Sequence, residues 1–256
     1  DTKAIKFNAD RKRILVEVEV PQNGYKTYAL RFREPNLEYD PQIMPSRKLI
    51  ARDNGVLENE FVKVVINGNG TFDLTDKTTG RVMPKQLYFT DDGEVGSAHI
   101  SVKPKRNATY TTLGSAATVT MTESNELRGV YKIDVTVDLP AEATIDGNDR
   151  SRGFKPLHIT TWLTLEKGAK FLRIKTTLNN EIRDHKLVVN FPSCVQKADW
   201  ADVESAWDVA HRTINHRDTK DNFDKFLPFQ PMQNFVDVSD GEVGLAVLTK
   251  GLREYE

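Results

Sequence analysis

The sequence holds one cysteine, Cys194, in 256 residues, so no disulfide can form within the chain. That excludes the small disulfide-stapled folds of secreted proteins and points to a reducing compartment or a bacterial source. Cys194 follows an apolar run and reads as a small buried residue. There is no excess of charge of either sign: 36 Lys and Arg oppose 37 Asp and Glu, for a formal net charge of −1. Such a balance has no general attraction for nucleic acid or for an anionic membrane surface. No apolar run approaches the ~20 residues that cross a bilayer as a helix. His-Glu-x-x-His, a second cysteine for a zinc cluster and a Gly-x-Ser-x-Gly elbow are all missing. Asp146-Gly147-Asn148-Asp149 lacks the alternating acids and terminal glutamate of an EF-hand loop. The chain opens at Asp1 without methionine or signal peptide, and stops at Glu256 just after an apolar strand. Both ends therefore read as cuts within a longer protein.

What is present is a two-residue period. Ile14, Val16, Val18 and Val20 alternate with polar neighbours, Pro21-Gln22-Asn23-Gly24 turns the chain, and Tyr28, Leu30 and Phe32 return, the pattern of a β-hairpin. Pro35, Pro41 and Pro45 mark an extended linker that runs to about Asn54. Phe61 to Ile66, the turn Asn67-Gly68-Asn69-Gly70, then Phe72 and Leu74 form a second hairpin, which Asp76 to Gly80 turns again. Tyr131 to Leu139, Leu157 to Leu165 and Leu172 to Leu178 are further strands, and Phe235 to Val238 with Gly244 to Leu248 make the last hairpin. Only Asp199 to Ala210 has a pattern compatible with a short helix. The expected fold is all-β, a large antiparallel β-sandwich over residues 47–256, preceded by the end of a small β domain and a linker over 1–46.

The chemistry-bearing residues are scattered. Of five histidines, His99, His158, His185, His211 and His216, none has metal-ligand spacing, and His158 alternates out of its apolar face toward solvent. Glycoside hydrolysis needs two carboxyl groups at a defined separation, but 37 acidic residues make pairs abundant and uninformative. Asp91-Asp92, Asp218, Asp221 and Asp224 lie in turn-like sequence and read as solvated loops. Arg183-Asp184-His185 is the densest polar cluster at a strand start. Neighbours on a strand face opposite ways, so a direct Asp184–His185 dyad is disfavoured, and the cluster reads as a junction or pocket wall. Trp162 reads as core, whereas Trp200 and Trp207 sit in polar sequence and are the candidates for a sugar-stacking surface.

Several of these segments recur together in a known order. Val20 to Tyr28, Leu57 to Phe61, Asn69 to Phe72, Asp76 to Gly80, Thr177 to Asn180, Arg183 to Leu187, Gln230 to Phe235 and Lys250 to Tyr255 resemble, in sequence and spacing, the C-terminal β region of glycoside hydrolase family 38, the retaining zinc-dependent α-mannosidases. Gly96-Ser97-Ala98-His99 departs from the Gly-Asp and tyrosine that family members often carry there. The resemblance implies a galactose mutarotase-like supersandwich. It places the zinc and the aspartate nucleophile in an N-terminal catalytic domain that no segment here matches, so it implies no cofactor in this chain and no hydrolase activity for the chain alone. The implied partners are that catalytic domain and an α-mannoside, with a homo-oligomer of the parent enzyme left open and the bacterial cytoplasm as location. Asp184, His185 and Arg212, then Glu254 and Tyr255, are the expected substrate-contacting residues. Two alternatives stay open: a free-standing carbohydrate-binding module, and a catalytic supersandwich enzyme such as an aldose mutarotase-like epimerase, which needs a histidine acid and a carboxylate base flanking one pocket.

Overall fold

The two longest strands arise where the alternation is unbroken. Tyr131, Ile133, Val135 and Leu139 on one, and Leu157, Ile159, Leu163 and Leu165 on the other, are buried on a common face. The computed structural model describes residues 14–29, 48–97, 100–214 and 229–256. Among them the one helical element is a 3-10 turn at Thr112–Gly114, and all other regular structure is strand. The chain divides into two compact units, Asp1–Asn190 and Phe191–Glu256.

The first unit opens with an antiparallel sheet of β1 (Ala51–Arg52), β2 (Val56–Glu58), β3 (Val62–Ile66), β4 (Phe72–Asp76) and β5 (Val82–Gln86), paired in that order. The β3–β4 turn needs glycine twice over. Gly70 has φ +86°, and a Cβ there would meet Val135 Cγ2 at 2.7 Å. Next come β6 (Tyr88–Gly93) and β7 (Tyr110–Thr111), then β8 (Ala117–Ser124), β9 (Arg128–Pro140), β10 (Phe154–Glu166) and β11 (Arg173–Leu178). The last four form an antiparallel sheet in the order β11-β10-β9-β8. Finally β12 (His185–Asn190) pairs with β6, giving the sheet β12-β6-β7. Asn59 ties the first sheet to the end of β10. Its amide donates to the carbonyls of Glu166 (2.7 Å) and Ala169 (2.8 Å) while its Oδ1 accepts from the N–H groups of Phe61 and Val62, so the buried side chain leaves no polar atom unmet.

The second unit holds β13 (Trp200–Glu204), β14 (Val209–Thr213), β15 (Gln230–Pro231), β16 (Phe235–Ser239), β17 (Gly244–Leu248) and β18 (Glu254–Tyr255). Its main sheet runs β14-β13-β16-β17, and β15 pairs with β18. Ala201, Val203 and Met232 are its buried centre, with Val236, Val238 and Tyr255 packed against them.

All-β architecture with antiparallel pairing is as the alternation implies. Four local expectations are corrected. Asp199 to Ala210 is no helix: Ala201 and Val203 are buried at a two-residue period, Ser205 to Asp208 closes a turn, and β13 gains β16 as a second partner. Residues 14–29 carry the turn, with Gly24 N–H on the Pro21 carbonyl at 3.1 Å, but no strand ladder. Leu30 and Phe32, with most of the linker, lie outside the described residues. Trp162 is half-buried on the face away from the core, because register places Lys175 opposite it, with Nζ 5.6 Å from the ring centroid. Cys194 is exposed, at φ 55°, where the chain leaves β12 after Pro192 and the strand period has ended.

Leu163 has no exposed surface and pairs across the β9–β10 ladder. Leu163→Ala is expected to lower unfolding free energy by about 2–5 kcal/mol, read by urea denaturation, while His158→Ala on the solvent face shifts it by less than about 0.5 kcal/mol.

Candidate functional site

The inward face of β6 repeats every second residue: Leu87, Phe89, Asp91 and Gly93 are all buried. The period thus delivers a carboxylate into the interior. Asp91 has a side chain 2% exposed, and a guanidinium and an imidazole meet it. Arg150, itself 4% exposed, reaches it from the 141–153 loop with Nη2 2.5 Å from Oδ1. His185, at the start of β12 and 5% exposed, brings Nδ1 to Oδ2. Register sets this up, because His185 pairs with Gly93 on the neighbouring strand. Arg150 Nη1 also donates to the carbonyl of Ala108 (3.3 Å), and its guanidinium lies 5.2 Å from the Tyr110 ring centroid. Neither Asp91 Oδ1 nor Arg150 Nη2 has another hydrogen-bond partner, so the ion pair alone satisfies both atoms. The expectation of a solvated Asp91 is therefore corrected. The Phe89 period carried the signal, and the adjacent Asp92 obscured it.

His185 is fully engaged. Nε2 lies 3.1 Å from Asn180 Oδ1, and that oxygen also accepts from Ile182 N–H at 3.1 Å. The backbone bond fixes which end of the amide faces the ring, so Nε2 is the donor. With both nitrogens occupied and the side chain inside, His185 clamps the 179–182 segment to β6. Asp184 turns the other way, as the strand argument anticipates. At φ 51° it projects outward, accepting Ala143 N–H on Oδ2 (3.1 Å) and Glu94 N–H on its carbonyl (2.9 Å). It thereby pins two loops at once.

Those loops are held by further carboxylates. Asp92 accepts from Lys103 (2.8 Å), Asn107 (2.9 Å) and Thr109. Glu94 accepts from Gly96 N–H (2.9 Å), Val102 N–H (2.7 Å) and Ser101. Burial pushes both acids upward, but these donors outweigh it and hold each below the ordinary carboxylate range. Asp146, fully exposed, is drawn down to about 2 by the Thr144 hydroxyl and by Asn148. Asp149 pairs with Arg106 across the same corner. Asp92, Glu94 and Asp146 are thus held as ionised acceptors.

Arg212, Glu254 and Tyr255 form a separate group in the second unit. Arg212 on β14 donates to the carbonyl of Pro231 (2.9 Å) on β15, and Pro231 is in register with Glu254. Glu254 is exposed, whereas Tyr255 packs on Ala201, Val203 and Met232. His211 meets Asp202 at 2.5 Å, and His99, His216, Asp218, Asp221 and Asp224 lie outside the described residues. Among the described residues no three His, Cys, Asp or Glu converge to hold a metal ion.

Residues 57–256 match the family described as glycosyl hydrolases family 38, C-terminal domain. The chain belongs to glycoside hydrolase family 38. A protein of Halalkalibacterium halodurans that carries the provisional name mannosylglycerate hydrolase is 29% identical over 93% of this chain and 30% of its own length. The crystal structure of an alpha-mannosidase from Enterococcus faecalis V583 superposes with a TM-score of 0.75 at 33% identity, over 81% of this chain and 25% of that one. A family 38 protein from Enterococcus faecalis gives 0.72 at 32%, over 81% and 26%. The chain thus spans under a third of the length of these relatives.

Two outcomes are expected. Asp91→Asn leaves Arg150 and His185 buried around a neutral group and should cost about 3–5 kcal/mol, read as a drop in the denaturant midpoint. Asp92, Glu94 and Asp146 are depressed in the folded chain, so their stabilisation is complete above ~pH 4, the unfolded carboxylate range. It is lost as pH falls through the folded values, down to about 2 at Asp146. Melting temperature should fall progressively across that window, and Asp92→Asn should flatten part of the decline.

Proposed function

We propose that this chain is the non-catalytic C-terminal part of a retaining α-mannosidase of family 38, built as a galactose mutarotase-like supersandwich. Its role is to support an N-terminal catalytic domain and to wall the sugar pocket. The observation that carries this is the match of residues 57–256 to the family's C-terminal domain, in a chain covering 25–30% of its relatives. The substrate class, α-mannosides, follows from what those relatives are named for. Zinc and the aspartate nucleophile belong in the catalytic domain; the described residues do not fit the ion, since no three ligand-type side chains converge here.

Asp184 and the loops it pins form the proposed wall in the first unit, and Arg212, Glu254 and Tyr255 the one in the second. Within the first, His185 acts through the position of the 179–184 segment and Asp184 at the surface. The bacterial cytoplasm is the proposed location, in line with a lone exposed thiol.

Steady-state kinetics of the full-length enzyme test this. Asp184→Ala removes the Ala143 contact and should change KM for an aryl α-mannoside about fivefold, the worth of one hydrogen bond near 1 kcal/mol, with zinc content unchanged. Unchanged kcat and KM for Asp184→Ala and Arg212→Ala together would remove the pocket-wall role.

A further inference from the structure

The outer face of the second unit's sheet carries chemistry that a wall made of Arg212, Glu254 and Tyr255 leaves unused. Alternation along β13 turns Ala201 and Val203 inward and Trp200, Asp202 and Glu204 outward. Asp202 is in register with His211 on β14 and with Asp237 on β16, and Asp237 with Ala246 on β17. A single row, His211, Asp202, Asp237, Ala246, therefore crosses all four strands. Trp200 stacks on His211 with ring centroids 4.5 Å apart and an interplanar angle of 17°. Asp202 Oδ1 holds His211 Nδ1 at 2.5 Å, so the indole is backed by a ring that is itself locked in place. Trp200 still exposes 46% of its surface. The outward positions of these strands include no lysine or arginine.

We infer that this face is a saccharide platform, with Trp200 stacking a neutral pyranoside and Asp202 and Asp237 accepting its hydroxyls. A pyranose offers a C–H face to an aromatic ring and a rim of O–H donors to carboxylates, which is the complement of this row. Ala246, small and exposed, leaves the floor beside Asp237 open. Burial and then the facing Asp202 push the Asp237 carboxyl up, against the lowering by the Val238 N–H. The choice of ligand, an α-mannoside, rests on the proposed function; the platform itself rests on the row.

The test is a titration of this chain with methyl α-D-mannopyranoside and α-mannobiose, followed by tryptophan fluorescence in a Trp207→Phe background. That substitution removes the signal of Trp207, which is 98% exposed at the hairpin turn. A saturable change is expected, lost in Trp200→Ala and weakened about tenfold or more in Asp237→Asn, which removes one charged acceptor. Asp237→Asn also relieves a like-charge contact, so its fold is expected to persist in a thermal melt and the result does not hinge on Trp200→Ala folding. Absence of saturation, or saturation equal in both variants and the parent, overturns the platform. Failure of the proposed function reads out elsewhere, as full-length enzyme that does not cleave α-mannosides.

Discussion

The first unit depends on a carboxylate it has taken out of water. Asp91 lies on the inward face of β6 between Arg150 and His185, all three with side chains at most 5% exposed. An isolated buried charge is costly, and its compensation here joins three separate stretches of chain: β6, the 141–153 loop and the start of β12. Those stretches are far apart in sequence, so the ion pair forms only when the fold is assembled. Its geometry then dictates the rest of the corner. Arg150 reaches inward beside the Tyr110 ring of β7, and His185 cannot face Asp91 without turning Asp184 outward.

Around that buried centre further carboxylates act as struts. Asp92, Glu94, Asp146 and Asp184 each accept hydrogen bonds from the same loops they support. A loop held this way presents a defined backbone surface without a long hydrophobic core beneath it. At Asp92 and Glu94 burial raises the pKa but these donors outweigh it, and at Asp146 the Thr144 hydroxyl and Asn148 draw it down. The corner is thus a set of loops whose shape is held by carboxylates.

The second unit solves a different problem. Its inner face is a small apolar cluster centred on Ala201, Val203 and Met232, whereas its outer face is aromatic and acidic. Strand alternation alone separates the two. The same hairpin, β13 and β14, thus supplies core packing with one set of side chains and an exposed Trp200–His211 stack with the other. Polar residues crowd the outward face of this hairpin, and that polarity is what makes the segment look helical or irregular when read as a string.

By itself the amino-acid sequence determined the strands with long periods, such as Tyr131 to Leu139, the Asn67 to Gly70 turn, the outward position of His158 and the family. Each depends on residues close together in the chain or on a linear order of motifs. Only the tertiary structure decided what Asp91 and His185 are for, that Arg150 belongs with them, that Cys194 is exposed and that Asp199 to Ala210 forms strands. A partner for a buried charge lies 59 residues away for Arg150 and 94 for His185, and a short strand takes its conformation from the neighbour it pairs with. Local propensity carries no information about either, because the free energy that settles them comes from contacts made only after the chain has closed on itself.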